Sequence, residues 1–350
     1  MEVPVAAPVS ISEPVYTPSD SSEQQVVSGL CGVCPAGCGV KIHLEAGRIT
    51  RIAPSKGHPQ GICCPRGAHA PEIVYSPDRL LHPLKRVGPR GAGQFERASW
   101  DEALDTIAAG LQRIAGEHGP QAVCTYTGRG TFERSLCDLL SPAGVRESSA
   151  WNLLFPFGSP NTTGVGAICY VAHGVIAPAT TYGVWGIDTF ADIEHSDLIV
   201  VWGDNPATDS PPTNLNRIRA AQKRGAEVIV FDHRRTQTVR ATKGDWIGVR
   251  PGTDGALALG MINVVIQEDL YDRDFVEKWT VGFEELADYV ASFTPERVEQ
   301  ITHVPADEVR RTARAIARAK GAALVSYTGL EYTNSGTQNI RATIILWALT

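Results

Sequence analysis

Three cysteines within eight residues, CGVCPAGC at 31–38, constrain this chain more than any other stretch. The spacing Cys31-x2-Cys34-x3-Cys38 is that of a clamp, and the chain has to return to close it. Residues 40–53, VKIHLEAGRITRIA, alternate apolar and polar on both sides of AGR and predict a β-hairpin. Its second arm runs into PSKGHPQGICCPRG, so the fold brings Cys64 back to the first three cysteines after an interval of 25 residues. A disulfide framework belongs to small secreted domains. This chain has 350 residues, with five of its eight cysteines in the first 64. Four thiolates in one small volume suit zinc or an iron–sulfur cluster. Zinc sites favour paired CxxC knuckles, and the uneven spacing here fits a cubane better. A zinc-holding structural protein stays open as the alternative. Cys124 and Cys137, away from the cluster of cysteines, are expected to be small buried hydrophobes.

Charge and hydropathy exclude several classes. With 32 Lys+Arg against 38 Asp+Glu the chain is mildly acidic, which argues against a nucleic-acid or general polyanion binder. No apolar run reaches the length of a membrane span. The N-terminal MEVPVAAPVSISEPVYTPSDSSEQQ is rich in Pro and Ser, with neither a basic n-region nor a twin Arg. We read residues 1–27 as a flexible tail and expect a cytoplasmic protein.

The rhythm changes near residue 99. Ser99 is placed to cap a helix over WDEALDTIAAGLQRIAGEH, with Glu102 completing a capping box. Further on, SDLIVVWGDNPA, NLNRIRAAQKRGA, EVIVFDHRRT, DWIGVRPGTDGALALGMINVVIQ, VPADEVRRTARAIARAKG and AALVSYTGLEY alternate strand and helix. That alternation predicts an α/β fold with a doubly wound, largely parallel sheet. The loops VWGDNP, FDHRRT and RPGTD then gather at the carboxyl edge of its strands, where ligands bind in such sheets. The expected organisation is a β-rich domain over 28–86, the first part of an α/β domain over 87–150, an inserted α/β domain over 151–320, and a return to the first over 321–350. The final IRATIILWALT is apolar and ends without a cap, so the chain reads as the front of a longer protein, with IILWALT lacking its packing partner.

The order CxxCxxxC, then Cys-x-Arg-Gly, then SPDRLLHPLKRVGPRGAGQFERASWDEALDTIA, resembles the dimethyl sulfoxide reductase family of molybdopterin oxidoreductases. The resemblance runs from about residue 28 to the end. It implies a [4Fe-4S] cluster on Cys31, Cys34, Cys38 and Cys64, beside a bis(molybdopterin guanine dinucleotide) cofactor carrying molybdenum or tungsten. The family register selects Cys64 and leaves Cys63 as a neighbour. It also places Arg66 as the cation between cluster and pterin, where a guanidinium offsets negative charge.

Read against the resemblance, the sheet-edge loops become dinucleotide contacts. Gly203 would admit a phosphate, with Asp204 and Asn205 reaching sugar or base. Asp232 would accept from ribose or guanine, and Arg234 and Arg235 would pair phosphate; His233 stands where the family commonly has Pro. Gly252 and Thr253 precede a helix N-terminus, and Asp254 can accept from guanine. Arg129 in TGRG is a further phosphate candidate. The protein ligand to the catalytic metal falls in the glycine-rich stretch 158–183, where Cys169 is the only cysteine. A soft thiolate suits a metal already held by sulfur. His173, four residues on, shares a helical face with it and is either a substrate-facing histidine or a satisfied core one.

The implied function is two-electron oxidation or reduction of a small substrate, with electrons passing through the cluster to an electron-transfer protein or iron–sulfur subunit. The redox-neutral alternative is a hydratase or transhydroxylase. The stretch GALALGMINVVIQEDLYDRDFVEKWTVGFEELADYV is similar to acetylene hydratase, a tungsten member of the family. That member carries a catalytic Asp directly after the second cluster cysteine, and here Pro35 stands there.

Overall fold

The computed structural model describes residues 24–34, 37–58, 61–127, 157–164, 171–184, 191–209 and 214–350. They fall into two compact units, Met1–Val33 with Gly37–Leu81, and Cys34–Ala36 with His82–Thr350.

The first unit is built on three antiparallel strands, β1 (Gln24–Leu30), β2 (Gly39–Glu45) and β3 (Arg48–Pro54), in that order. The expected hairpin is β2–β3. Ala46 and Gly47 turn it with φ of 46° and 74°, the paired left-handed conformation that suits a two-residue connection between twisted strands. β1 begins at Gln24, so residues 24–27 form part of a sheet rather than of the expected tail. Two short helices follow, Pro65–Ala68 and Ala70–Val74. Tyr75 ties them to the hairpin. Its hydroxyl accepts from the Ile49 N–H at 2.7 Å, and the Arg48 guanidinium lies 3.8 Å from its ring centre. Among the described residues of this unit, the buried hydrophobic side chains are Cys38 and Val40.

The second unit opens with an antiparallel pair, β4 (Leu84–Arg86) and β5 (Phe95–Arg97), and the helix Trp100–His118. Ser99 caps that helix, its hydroxyl accepting from the Glu102 N–H at 3.0 Å. The Glu102 carboxylate pairs instead with Lys85 at 2.8 Å, so the capping box is half made. The short strands β6 (Thr125–Thr127) and β7 (Thr162–Gly164) pair in parallel. Cys124, expected in the core, is exposed. The period of an extended chain explains the correction. Cys124 and Tyr126 share one face and point outward, while Val123 and Thr125 are half-buried on the other.

The main sheet follows the expected alternation. Strands β8 (Leu198–Trp202), β9 (Glu227–Asp232), β10 (Asp245–Gly248) and β11 (Ala322–Ser326) are all parallel, in the order β10-β9-β8-β11. All five β8 residues are buried, because both sheet faces are covered. Leu198, Val200 and Trp202 join the core with Leu257, Met261 and Ile262 of the helix Asp254–Gln267. Ile199 and Val201 point the other way, onto Ile218 and Ala221 of the helix Leu215–Lys223. The apolar segment 344–350 does have a packing partner. The helix Gly336–Leu349 lies against Asp254–Gln267, buries Ile340, Leu346 and Leu349, and fixes Trp347 by an indole bond to the Ala322 carbonyl at 2.8 Å. Among the described residues no helix is long and apolar enough to cross a membrane.

Candidate cofactor sites

The thiol loop is closed at its base. The Cys31 N–H donates to the Cys38 carbonyl at 2.8 Å, which brings the first and third cysteines of the clamp together. Cys38 is buried, and Cys31, Cys34, Cys63 and Cys64 are half-buried. Cys64 is the extended residue that starts the helix Pro65–Ala68, its carbonyl accepting from the Ala68 N–H at 3.0 Å. Gly67 explains the glycine of CPRG. A Cβ there would stand 3.2 Å from the Cys31 sulfur and 3.3 Å from the Cys63 sulfur, so any side chain would crowd the thiols. The Cys63 thiol points to the Ile52 carbonyl at 3.9 Å and its neighbour's at 3.8 Å. Burial pushes that thiol up from its ordinary pKa, and thiolate charge on Cys31 and Cys64 adds to the effect. Among the described residues no three His, Cys, Asp or Glu close around a single ion. A four-iron cluster spaces its thiolates around a cube rather than one atom, and an all-thiolate donor set is the one it takes. Arg66, on the helix directly after Cys64, is exposed.

The second site lies at the carboxyl edge of the main sheet. β9 and β10 follow β8 to one side while β11 returns on the other, so the connections leave in opposite directions and open a crevice at the strand ends. A cavity of about 650 Å³ occupies it. The loop after β8 contributes Gly203, Asp204, Asn205 and Asp209, and the loop after β9 contributes Asp232, His233 and Arg234. Gly252 and Asp254 come from the loop after β10, and Tyr327, Thr328, Gly329, Tyr332 and Thr333 from the loop after β11.

Of the residues expected there, Gly203, Asp204, Asn205, Asp232, Arg234, Gly252 and Asp254 line the cavity, and Thr253 and Arg235 do not. The Thr253 hydroxyl donates to the Arg250 carbonyl at 2.7 Å, and the Arg235 guanidinium lies 4.9 Å from the Trp246 ring centre. Three lining residues also have structural work. Gly203, at φ 63°, donates its bareness to the β11 loop: a Cβ would meet the Leu330 nitrogen at 2.9 Å, and the Gly203 carbonyl accepts from the Gly329 N–H at 2.9 Å. The Asn205 side-chain oxygen Oδ1 accepts from the Thr238 N–H at 3.2 Å and hydroxyl at 2.7 Å, bracing the helix Gln237–Thr242. Asp254 accepts from the Trp202 indole at 2.9 Å.

Burial dominates the electrostatics of this crevice. It raises Asp204 to about 7, with the charge of Asp209 adding and the Asn205 N–H partly offsetting. Burial also raises Asp254, against the pull of the Trp202 indole. A carboxyl poised near neutrality is both donor and acceptor, a combination suited to ribose hydroxyls and base edges.

His173 sits in a π-helical turn, Val171–Ile176, that leads into the helix Ala177–Thr181. Its Nε2 is 3.3 Å from the Ser326 hydroxyl at the end of β11, and its Nδ1 is buried with no hydrogen-bond partner among the described residues. Burial lowers its pKa, so the ring is neutral. The Glu331 carboxylate accepts from the His173 N–H at 3.0 Å, and burial raises Glu331. Sequence reading missed Glu331 and the β11 loop. The signal was present, since TGLEY follows a strand just as WGDN and FDHR do. Cys169, Arg129, Cys137 and Pro35 lie outside the described residues.

A thiol loop on a small antiparallel sheet and a crevice at the switch point of a parallel one are each suited to holding a cofactor. Family comparison agrees. Residues 24–76 match the molybdopterin oxidoreductase Fe4S4 domain and residues 79–348 match molybdopterin oxidoreductase. The chain belongs to the molybdopterin oxidoreductase family. It is an enzyme chain of that family, with a molybdopterin cofactor carrying molybdenum or tungsten and a [4Fe-4S] cluster. It is 34% identical over 338 residues to acetylene hydratase of Syntrophotalea acetylenica, covering 94% of this chain and 43% of that one. To dimethyl sulfoxide reductase DmsA of Escherichia coli it is 33% identical over 361 residues, covering 94% and 44%. The solved structure of acetylene hydratase from Pelobacter acetylenicus matches with a TM-score of 0.73 at 32% identity, over 92% of this chain and 43% of that one. The chain thus spans less than half the length of these relatives.

Proposed function

We propose that the chain serves a molybdenum or tungsten bis(molybdopterin guanine dinucleotide) oxidoreductase that takes a small substrate through a two-electron change. In this reading Cys31, Cys34, Cys38 and Cys64 would hold a [4Fe-4S] cluster able to exchange single electrons with a separate electron-transfer protein or iron–sulfur subunit. The observation that supports this best is the crevice at the β8/β11 switch point, with its aspartate- and arginine-bearing loops and its volume. When bound, the cofactor supplies a metal centre that changes by two electrons, and the cluster relays them one at a time. The residues of the chain bind and orient. Asp204, Asp232 and Asp254 accept from sugar and guanine donors, Arg234 pairs phosphate, and Gly203 and Gly329 let two loops close on each other. Cys31, Cys34, Cys38 and Cys64 are the cluster ligands in this reading, Arg66 the cation beside it, and Cys169 the protein ligand to the catalytic metal. His173 is held through Nε2 by Ser326, which leaves Nδ1 as the atom to take or give a proton.

The second reading, a redox-neutral hydratase, draws on the similarity to acetylene hydratase. Pro35 speaks against it, since proline carries no proton where that reading needs an acid. Full-length protein purified without oxygen decides between them. We expect turnover of an oxidisable or reducible small molecule coupled to a viologen dye. Hydration of a substrate with no electron exchange would establish the hydratase, and absence of molybdenum, tungsten and guanine nucleotide would overturn both.

A further inference from the structure

We infer that Cys63 and Cys31 form a latent dithiol that closes to a disulfide when the cluster is lost, a reversible modification site beside the cofactor. Five cysteines fall within the first 64 residues, the cluster of the proposed function takes four, and the ligand register leaves Cys63 over. The structure places this spare thiol at the lip of the thiol loop. The Cys31 and Cys63 sulfurs both stand within 3.3 Å of the point where a Gly67 side chain would begin, and Gly67 offers only hydrogen there. Neither cysteine lies inside a strand or a helix, so closing the bond breaks no strand ladder or helix. Cys63 is half-buried rather than sealed in, so a small oxidant reaches it.

While iron holds Cys31, the pair cannot close. Once iron leaves, a low-molecular-weight disulfide such as oxidised glutathione serves as oxidant. The Cys31 thiolate attacks one of its sulfurs and expels a glutathione thiolate. The Cys63 thiol then loses its proton to solvent, attacks the Cys31 sulfur and expels the second glutathione thiolate. Two protein thiols are oxidised and one small disulfide is reduced to two thiols. The bond shields Cys31 from irreversible oxidation and keeps it recoverable by a dithiol reductant. The inference takes from the proposed function only the cluster, and holds whatever the substrate.

The test uses the full chain, stripped of iron by a chelator without oxygen and then given oxidised glutathione. Trypsin leaves Cys31 in a peptide ending at Lys41 and Cys63 in one running from Gly57 to Arg66. Mass spectrometry should find these two peptides joined in wild-type protein and in Cys64→Ser. In Cys63→Ser and in Cys31→Ser the joined species should fall below about a tenth of the wild-type yield. The oxidised wild-type apoprotein should take up iron and sulfide only after reduction, and Cys63→Ser without it. A link that survives in Cys63→Ser, or none in wild type, overturns the inference. Because the disulfide is read in the apoprotein, failure of the redox assay would leave this result standing.

Discussion

The two units of this chain are stabilised by opposite means. The parallel-sheet unit buries all of β8, most of β9 and one side of each surrounding helix, so it carries its own core. Among its described residues the unit of β1–β3 buries two hydrophobic side chains, Cys38 and Val40, and every residue of β1 but Gly29 is exposed. A sheet of that size with so little apolar burial cannot offset the entropy of ordering its backbone. Its compensation is chemical. In small metallodomains the binding free energy of the metal is the folding free energy, and in the proposed reading a cluster on Cys31, Cys34, Cys38 and Cys64 would supply it. The proposal thus gives each unit its own kind of stabilisation: an apolar scaffold behind the crevice, and a cofactor-dependent fold around the cysteines.

That contrast is most open to attack by removing iron. Chelation should raise amide exchange in β1–β3 by roughly a hundredfold or more while β8, β9 and β11 keep their protection. Equal loss in both sheets, or none in the first, would break the comparison, and hydrogen-exchange mass spectrometry reads both at once. Next in size is the choice between adjacent cysteines. Cys64→Ala should lose most of its iron and its charge-transfer absorbance, whereas Cys63→Ala should keep most of both. The reverse result would place the fourth ligand one residue earlier.

In the sheet unit the expected losses are those of an ordinary core. Ile199 is fully buried, and Ile199→Ala should cost ~2–5 kcal/mol in denaturant unfolding. Val26→Ala, on exposed β1, should stay within about 0.5 kcal/mol. A large effect at Val26 would show that the first unit is held by its side chains after all.

The smallest expected effect concerns pH. Asp204 is raised to about 7 in the folded protein, so between its ordinary carboxylate range and 7 the folded state binds a proton that the unfolded state has released. Its contribution to stability is therefore present at low pH and declines as pH rises toward 7. Asp204→Asn should flatten this component by a few kcal/mol at most, on the scale of ~1.4 kcal/mol per pKa unit. Asp254 and Glu331 act in the same direction, while His173, lowered by burial, acts in the opposite one at acid pH. The difference between wild type and Asp204→Asn in cofactor-free protein isolates the term, and an unchanged slope would remove Asp204 from it.

The sequence by itself determined whatever is written in short-range periodicity. The hairpin follows from alternation and a two-residue turn, the helix Trp100–His118 from a cap three residues from its partner, and the β8–β10 alternation from apolar runs between helical patterns. The choice of Cys64 over Cys63 has another source, the family register matched by Cys64-Pro65-Arg66-Gly67, and it awaits the cysteine variants above. Seven of the nine residues expected at the sheet edge do line the crevice, because the end of a parallel strand is a local signal.

Only the tertiary structure decided what each side chain does once there. Asn205 braces a helix 33 residues away, Arg235 lies over Trp246, and Glu331 reaches His173 across 158 residues. Cys124, apolar by its neighbours, faces outward because nothing described packs on that face of its two-stranded sheet. Alternation and capping act over two to four residues and can be read along the chain. The partner of a polar atom depends on which distant segment the packed core brings beside it.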